Sequence, residues 1–207
     1  MALQYIPGRA ISLTSQAAGD VAYYNGTEWI RLAKGTAGQQ LAINSGATAP
    51  EWTTPGIGET HLVQVATVQD GGLKTVTAVM PADDTIPQIS EGTNILQVVI
   101  TPKSATNRLF ITGQVIVHSA QTDHIIALFQ DSTVNALATA NQRGASTGEQ
   151  ETISIMWNGV AGTTSASTFQ IRYGASGAGT YYVNGSTVGR ELGGNFATTM
   201  NILEYSV

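Results

Sequence analysis

Gly144-Ala145-Ser146-Thr147-Gly148 spells the Gly-x-Ser-x-Gly pattern in which a strained turn presents a nucleophilic serine. That chemistry needs a buried strand before the turn, a helix after it and a histidine later in the chain. Here Ala140-Asn141-Gln142-Arg143 precedes the pattern, a strand follows it, and no histidine lies beyond His124. The segment reads as a polar surface loop. His118, Asp123 and His124 have ligand types that hold a divalent metal when they converge, but no third or fourth ligand is evident nearby, and two strand-end histidines are the simpler reading. The acidic pairs are Asp83-Asp84 and Glu149 with Glu151. Neighbours on an extended chain point to opposite faces and residues two apart share one, so neither pair spans a sugar as glycoside hydrolysis requires. Asn25-Gly26-Thr27 and Asn184-Gly185-Ser186 match the glycosylation acceptor pattern, yet each lies between strand patterns and reads as a hairpin turn. No catalytic residue, metal site or cofactor is expected.

Composition narrows the classes further. The 207 residues contain no cysteine, so neither disulfides nor thiolate chemistry contributes. Charged residues make up 11% of the chain and hydrophobic ones 42%, a balance that suits β architecture with partly covered surfaces. A net charge of -5 without any run of Lys or Arg lacks the footprint of nucleic-acid binding. Met1–Ala10 has neither a basic start nor a continuous apolar stretch, so no signal peptide is expected, and no segment approaches the length of a membrane span.

The elements that would position any site are strands. Val21–Tyr24 and Trp29–Leu32 flank Asn25-Gly26, a dipeptide suited to the positive φ of a tight hairpin. Gln40–Asn44, a turn at Ser45-Gly46 and the stretch through Pro50 and Trp52 repeat the idea. Two such hairpins bury too little to stand alone. Tyr23, Tyr24, Trp29 and Trp52 are therefore expected to pack on another surface, and a subunit interface is the preferred one. Pro55, Gly56 and Gly58 mark a boundary, which divides the chain into an extended arm at 1–18, a hairpin module at 19–52, a linker at 53–60 and a larger domain at 61–207.

Strands are expected at Leu62–Val68, Lys74–Met80, Ile95–Thr101, Arg108–His118, His124–Gln130, Thr152–Trp157, Thr168–Tyr173, Thr180–Val183 and Phe196–Tyr205. With no helical period between them, they imply an all-β antiparallel jelly-roll sandwich. Arg108–His118 places Leu109, Ile111, Gly113, Val115 and Val117 on one face, the core side, while Phe110 and Ile116 make the other face too apolar for plain solvent. The strand from His124 is apolar on both faces. Ile126 and Leu128 on one of them are candidates for a subunit interface, with cover by a long loop as the competing explanation. Tyr181, Tyr182, Asn184 and Arg190, with flat rings, an amide and a guanidinium, could form a glycan-binding surface. Core or interface packing uses the same residue types.

Two resemblances join these observations. Gly19, Asp20, Tyr23–Gly26, Trp29, Arg31, Leu32, Gly35–Gln39, Leu41 and Ala49–Trp52 together resemble the short module that recurs in tail-fibre and related fibre proteins of bacteriophages. Ala127–Asp131, Asn135–Ala138, Tyr181–Gly185, Gly189–Gly194 and Ile202–Glu204 are similar to C-terminal domains of phage fibre and virion-surface proteins, which resemble the tumour-necrosis-factor-like jelly roll and associate as trimers. The resemblance implies a homotrimeric structural virion protein, a short head or tail fibre or a capsid decoration. It would be assembled in the host cytoplasm, contact other virion proteins through its N-terminal region, and have a host-surface glycan as a further candidate partner. The alternative is a monomeric carbohydrate-binding β-sandwich with Trp29 or Trp52 as stacking platform. An esterase or glycosidase would survive only in a fold that assembled Ser146 or the carboxylates unexpectedly.

Overall fold

The structure, a computed structural model, describes residues 13–54, 61–118 and 120–206. The arm expected at 1–18 lies outside the described residues through position 12, as do positions 55–60 of the linker. The chain divides into two compact units, Met1–Glu59 and Thr60–Val207.

The first unit holds two hairpins, β1 (Val21–Tyr24) with β2 (Trp29–Leu32), and β3 (Gln40–Ile43) with β4 (Pro50–Thr53). In the first turn the Asn25 carboxamide oxygen accepts hydrogen bonds from the Thr27 and Glu28 amides, both at 2.8 Å, so the side chain closes the turn that sets the register. Asn44 does the same for the second hairpin, with the Thr48 amide at 2.9 Å. The organiser there is Asn44 rather than the Ser45-Gly46 pair that follows it.

The second unit begins with β5 (Leu62–Asp70), β6 (Lys74–Val76), β7 (Thr93–Ile100), β8 (Arg108–His118) and β9 (Asp123–Gln130). It continues through β10 (Ala138–Arg143), β11 (Gln150–Val160), β12 (Ser167–Ala175) and β13 (Tyr181–Val183). A small hairpin of β14 (Gly185–Ser186) and β15 (Gly189–Arg190), a 3-10 turn at Leu192–Gly194 and β16 (Thr198–Tyr205) complete it. One sheet is built around β8, whose whole length pairs with β11 on one edge. On the other edge β8 pairs first with β16 and then with β13, beyond which lie β5 and β6 respectively. The second sheet runs β10-β9-β12-β7. The chain passes repeatedly between the two, as a jelly roll does.

The inward alternation of both sheets makes the core. Leu109, Ile111, Val115, Val117, Ile153, Ile155, Met200 and Ile202 from the first sheet meet Ile126, Leu128, Phe169, Ile171 and Tyr173 from the second. Each such side chain contributes about 1.5–3 kcal/mol by leaving water. Gly113 sits where a Cβ would lie 2.5 Å from the Ile171 side chain, so the bare backbone there is what lets the sheets close.

Two expectations about strands change. The strand expected through Met80 ends at Val76, because Met80 is drawn away to the second sheet, where its amide donates to the Ala175 carbonyl at 3.0 Å. β10, Ala-Thr-Ala-Asn-Gln-Arg, has few β-branched residues and is extended because it completes the edge beside β9.

Ile126 and Leu128 are corrected more sharply. Both are fully buried within their own chain, facing the core, and are closed to any other subunit. The opposite face of β9, Ile125, Ala127 and Phe129, is covered by Met80, Ile89 and Ala136. Two loops are clipped together above it, the Ile89 amide donating to the Val134 carbonyl and the Ala136 amide to the Pro87 carbonyl. A strand apolar on both faces is here a strand under a loop.

Candidate functional site

The ligand surface expected at Tyr181, Tyr182, Asn184 and Arg190 is not assembled as one. Tyr181 is buried against His124, edge to ring at 5.6 Å, and its hydroxyl donates to the Gly177 carbonyl. Asn184 is wholly buried: its amide donates to the Asp70 and Gly72 carbonyls, and its oxygen accepts from the Thr198 hydroxyl at 2.8 Å. Its backbone is left-handed, φ +62°, a conformation asparagine tolerates better than most residues. Tyr182 is half-buried beside His118, and Arg190 is exposed on the small hairpin. The Asn184 side chain staples the end of β5 to the start of β16.

The other candidate chemistry is likewise accounted for. The His124 ring hydrogen-bonds the Tyr173 hydroxyl through Nδ1 at 2.7 Å and the Ala120 backbone through Nε2, so neither nitrogen is open to a metal. Burial pushes this histidine below its ordinary range and the Tyr173 phenol above its own. No metal-holding cluster of His, Asp or Glu occurs among the described residues. Ser146 lies on the loop between β10 and β11, without the strand-turn-helix context of a nucleophile. Asp83 turns inward on the Thr85 amide and hydroxyl, and Glu151 accepts from the Ala145 amide.

What the fold does assemble is the outer face of the β8 sheet. The registers place Val65, Leu203, Phe110 and Asn158 in one row across β5, β16, β8 and β11, and Thr67, Asn201, Thr112 and Met156 in the next. Leu62, Tyr205, Arg108 and Val160 lie at one end, Thr199, Gln114 and Ser154 at the other. Met156 is 68% exposed, Val160 54% and Val65 53%. Arg108 is the charge in these rows, and it is tied to Asn158, which also shares two hydrogen bonds with the Tyr205 hydroxyl. A broad sheet face that is apolar or neutral, with its one cation held at the rim, is the composition of an association surface. The apolar outer face of β8 already hinted at it through Phe110. Val65, Met156 and Leu203 could not be joined to that residue before the register was known.

The first unit is organised by Asp20 and Trp52. The Asp20 carboxylate accepts from Arg31 Nε at 2.6 Å, the Ala17 amide at 2.6 Å and the Lys34 amide at 2.9 Å. The Arg31 guanidinium first, then the Lys34 and Ala17 amides, hold its carboxyl down to about 2. Trp52 Nε1 donates to the Ala33 carbonyl at 2.6 Å, and its ring covers Gly35, where a Cβ would lie 2.7 Å from the indole. These contacts tie Asp20, Arg31, Gly35 and Trp52 into one small framework. Tyr23 and Trp52 are half-buried, whereas Tyr24 is 54% and Trp29 49% exposed.

Asp20 carries a pH prediction. An aspartate held near 2 when folded, against about 3.9 unfolded, contributes stability that is complete above the unfolded value and is lost as pH falls through about 2. The Ala17 and Lys34 amide resonances are expected to titrate with a midpoint near 2, and Asp20→Ala to abolish the titration and loosen the first hairpin. A midpoint near 4 would show that the cradle does not form.

A family model described as the Pgp3 C-terminal domain matches residues 67–206. No curated protein was found to match the chain. Among solved structures the chain is similar to Eiger TNF from S. frugiperda, at 11% identity and TM-score 0.45 over 70% of this chain and 93% of that one. It is similar to the C-terminal domain of EclA, a sugar-binding protein, at 16% identity and TM-score 0.29 over 59% of this chain and 76% of that one. The infectious bursal disease virus VP2 subviral particle gives 16% identity and TM-score 0.30 over 87% of this chain and 44% of the virus protein. At these identities and scores the three say nothing of ligands or partners.

Proposed function

Because the chain belongs to the Pgp3 C-terminal domain family, we propose that it is a structural, non-catalytic protein that assembles as a homotrimer through the outer face of its β8 sheet. The observation that carries this reading is that face, with Val65, Phe110, Met156, Val160 and Leu203 brought together and Arg108, hydrogen-bonded to Asn158, as the one charge in its rows. A second copy is the occupant because the face is broad, neutral and flat, and a closed ring of identical faces also shelters the long edge strands β5 and β11. Its setting in this proposal is a phage particle, where it serves as a short fibre or decoration. The resemblance of residues 19–52 to fibre modules supports that setting.

The mass in solution tests the assembly. Light scattering on a sizing column is expected to return three chains for the full protein, and Met156→Glu to weaken association by several kcal/mol per buried charge, which shows as dissociation at micromolar concentration. A wild-type monomer would overturn the trimer and favour the monomeric binding module.

A further inference from the structure

We propose that the open face of the first hairpin is a saccharide-binding platform, with Trp29 as the stacking surface and Glu28 and Arg31 as the hydroxyl-recognising groups. The inference rests on the reading of the protein as a fibre or decoration on a particle surface and adds a ligand class to it. In the β1-β2 register Tyr24 lies opposite Trp29 and Ala22 opposite Arg31, so these four share one face, while Val21, Tyr23, Ile30 and Leu32 share the other. The second face is half-buried throughout. The first leaves both large rings about half exposed, their centroids 5.9 Å apart and tilted by 55°.

A groove of about 480 Å³ adjoins this face, lined by Leu13, Thr14, Glu28, Trp29, Ile30 and Arg31. Its volume lies within the ordinary range for small-ligand sites. Its lining alternates a flat apolar surface with an exposed carboxylate, a guanidinium and a hydroxyl. A pyranose has the matching division, a C–H face for the indole and a rim of hydroxyls that donate to a carboxylate and accept from a guanidinium. Arg31 is pre-set for that role: Asp20 takes its Nε at 2.6 Å and fixes the plane of the guanidinium, so ordering it costs a ligand little. Ala22, opposite Arg31, leaves the shelf beside the guanidinium open.

The test is saturation-transfer NMR on the full chain with glucose, galactose, mannose, rhamnose and N-acetylglucosamine, each as the methyl glycoside at millimolar concentration, and with their short oligomers. At least one is expected to receive saturation on its ring C–H protons, and Trp29→Ala to weaken it at least tenfold. Glu28→Gln, whose turn contact with Asn25 is made by the backbone amide and is kept, is expected to weaken it severalfold while the remaining amide spectrum is unchanged, and Tyr24→Phe, which keeps the ring beside Trp29, to leave the hairpin folded. Absence of saturation with every sugar in the wild type, or equal saturation in the Glu28 and Trp29 variants, overturns the proposal. The mass of the same samples by light scattering reports on assembly separately, so failure of the platform and failure of the trimer are distinguishable.

Discussion

Glu204→Ala is expected to cost about 3–5 kcal/mol of stability, the range found when a buried, fully bonded charge site is broken. Glu204 is completely buried near the end of β16. Its carboxylate accepts from the side chains of Gln64 and Asn107, both at 2.5 Å, and from the Lys103 and Ser104 amides at 2.8 and 3.3 Å. One residue thus ties β5, the loop between β7 and β8, and β16 together, and removing it leaves the buried Asn107 amide without this acceptor. Burial pushes the carboxyl up, but the hydrogen bonds, led by Asn107 and then Gln64, outweigh it and hold it below the usual glutamate range. The sign follows: with the folded value depressed, the stabilisation is complete above the unfolded value of about 4.3 and disappears as pH falls through the folded one. Glu204→Gln keeps the shape but turns one acceptor into a donor facing donors, for a loss of about 1–3 kcal/mol. Urea unfolding at pH 7 and pH 3 is expected to show a gap between wild type and Glu204→Gln that narrows in acid. A gap that widened would mean that the site binds Glu204 protonated.

Phe129→Ala is expected to cost about 3–5 kcal/mol by removing a large, fully buried side chain while leaving the assembled mass unchanged. The ring lies on the outer side of β9 with Ile125, Ala127 and Met80, beneath the loops clipped together by the Ile89 and Ala136 amides. Hydrogen exchange should therefore speed up first in those loop amides and only later in the core strands. A change of oligomeric state with the loops still protected would return β9 to the role of subunit contact that its sequence suggested.

That reversal shows where the sequence was legible. Period-two alternation in Arg108–His118 or in Phe169, Ile171 and Tyr173 identifies a core face, because a strand's own spacing decides which side each residue takes. It does not say what covers the other side. For β9 the cover is supplied by Met80 and Ile89, some 40 positions upstream on a loop without any periodic pattern. The core role of Asn184, left open beside a ligand surface, shows the same limit. Asn-Gly-Ser between strands has the look of an exposed turn, but its amide answers carbonyls of Asp70 and Gly72 more than a hundred residues away, and such demands cannot be seen locally. The hairpin module was legible to the residue at β1 and β2, since Asn25 and Gly26 fix a turn through contacts only two or three residues long. The outer face of the β8 sheet was half visible: Phe110 stood out, while its neighbours depended on the register of four strands.

The place of β16 in that sheet has a bearing on biosynthesis. Thr67 and Asn201 touch across strands that are 134 residues apart, with β16 seated between β5 and β8. As a ribosome delivers the chain, β5 and β8 each wait with an unpaired edge until residues 198–205 have cleared the exit tunnel. Folding of this sheet is therefore set late, with long-range pairing as its slow step. During that interval the nascent strands are open to pairing with neighbouring chains, so synthesis on crowded polysomes would favour capture between copies, whether as productive assembly or as aggregate.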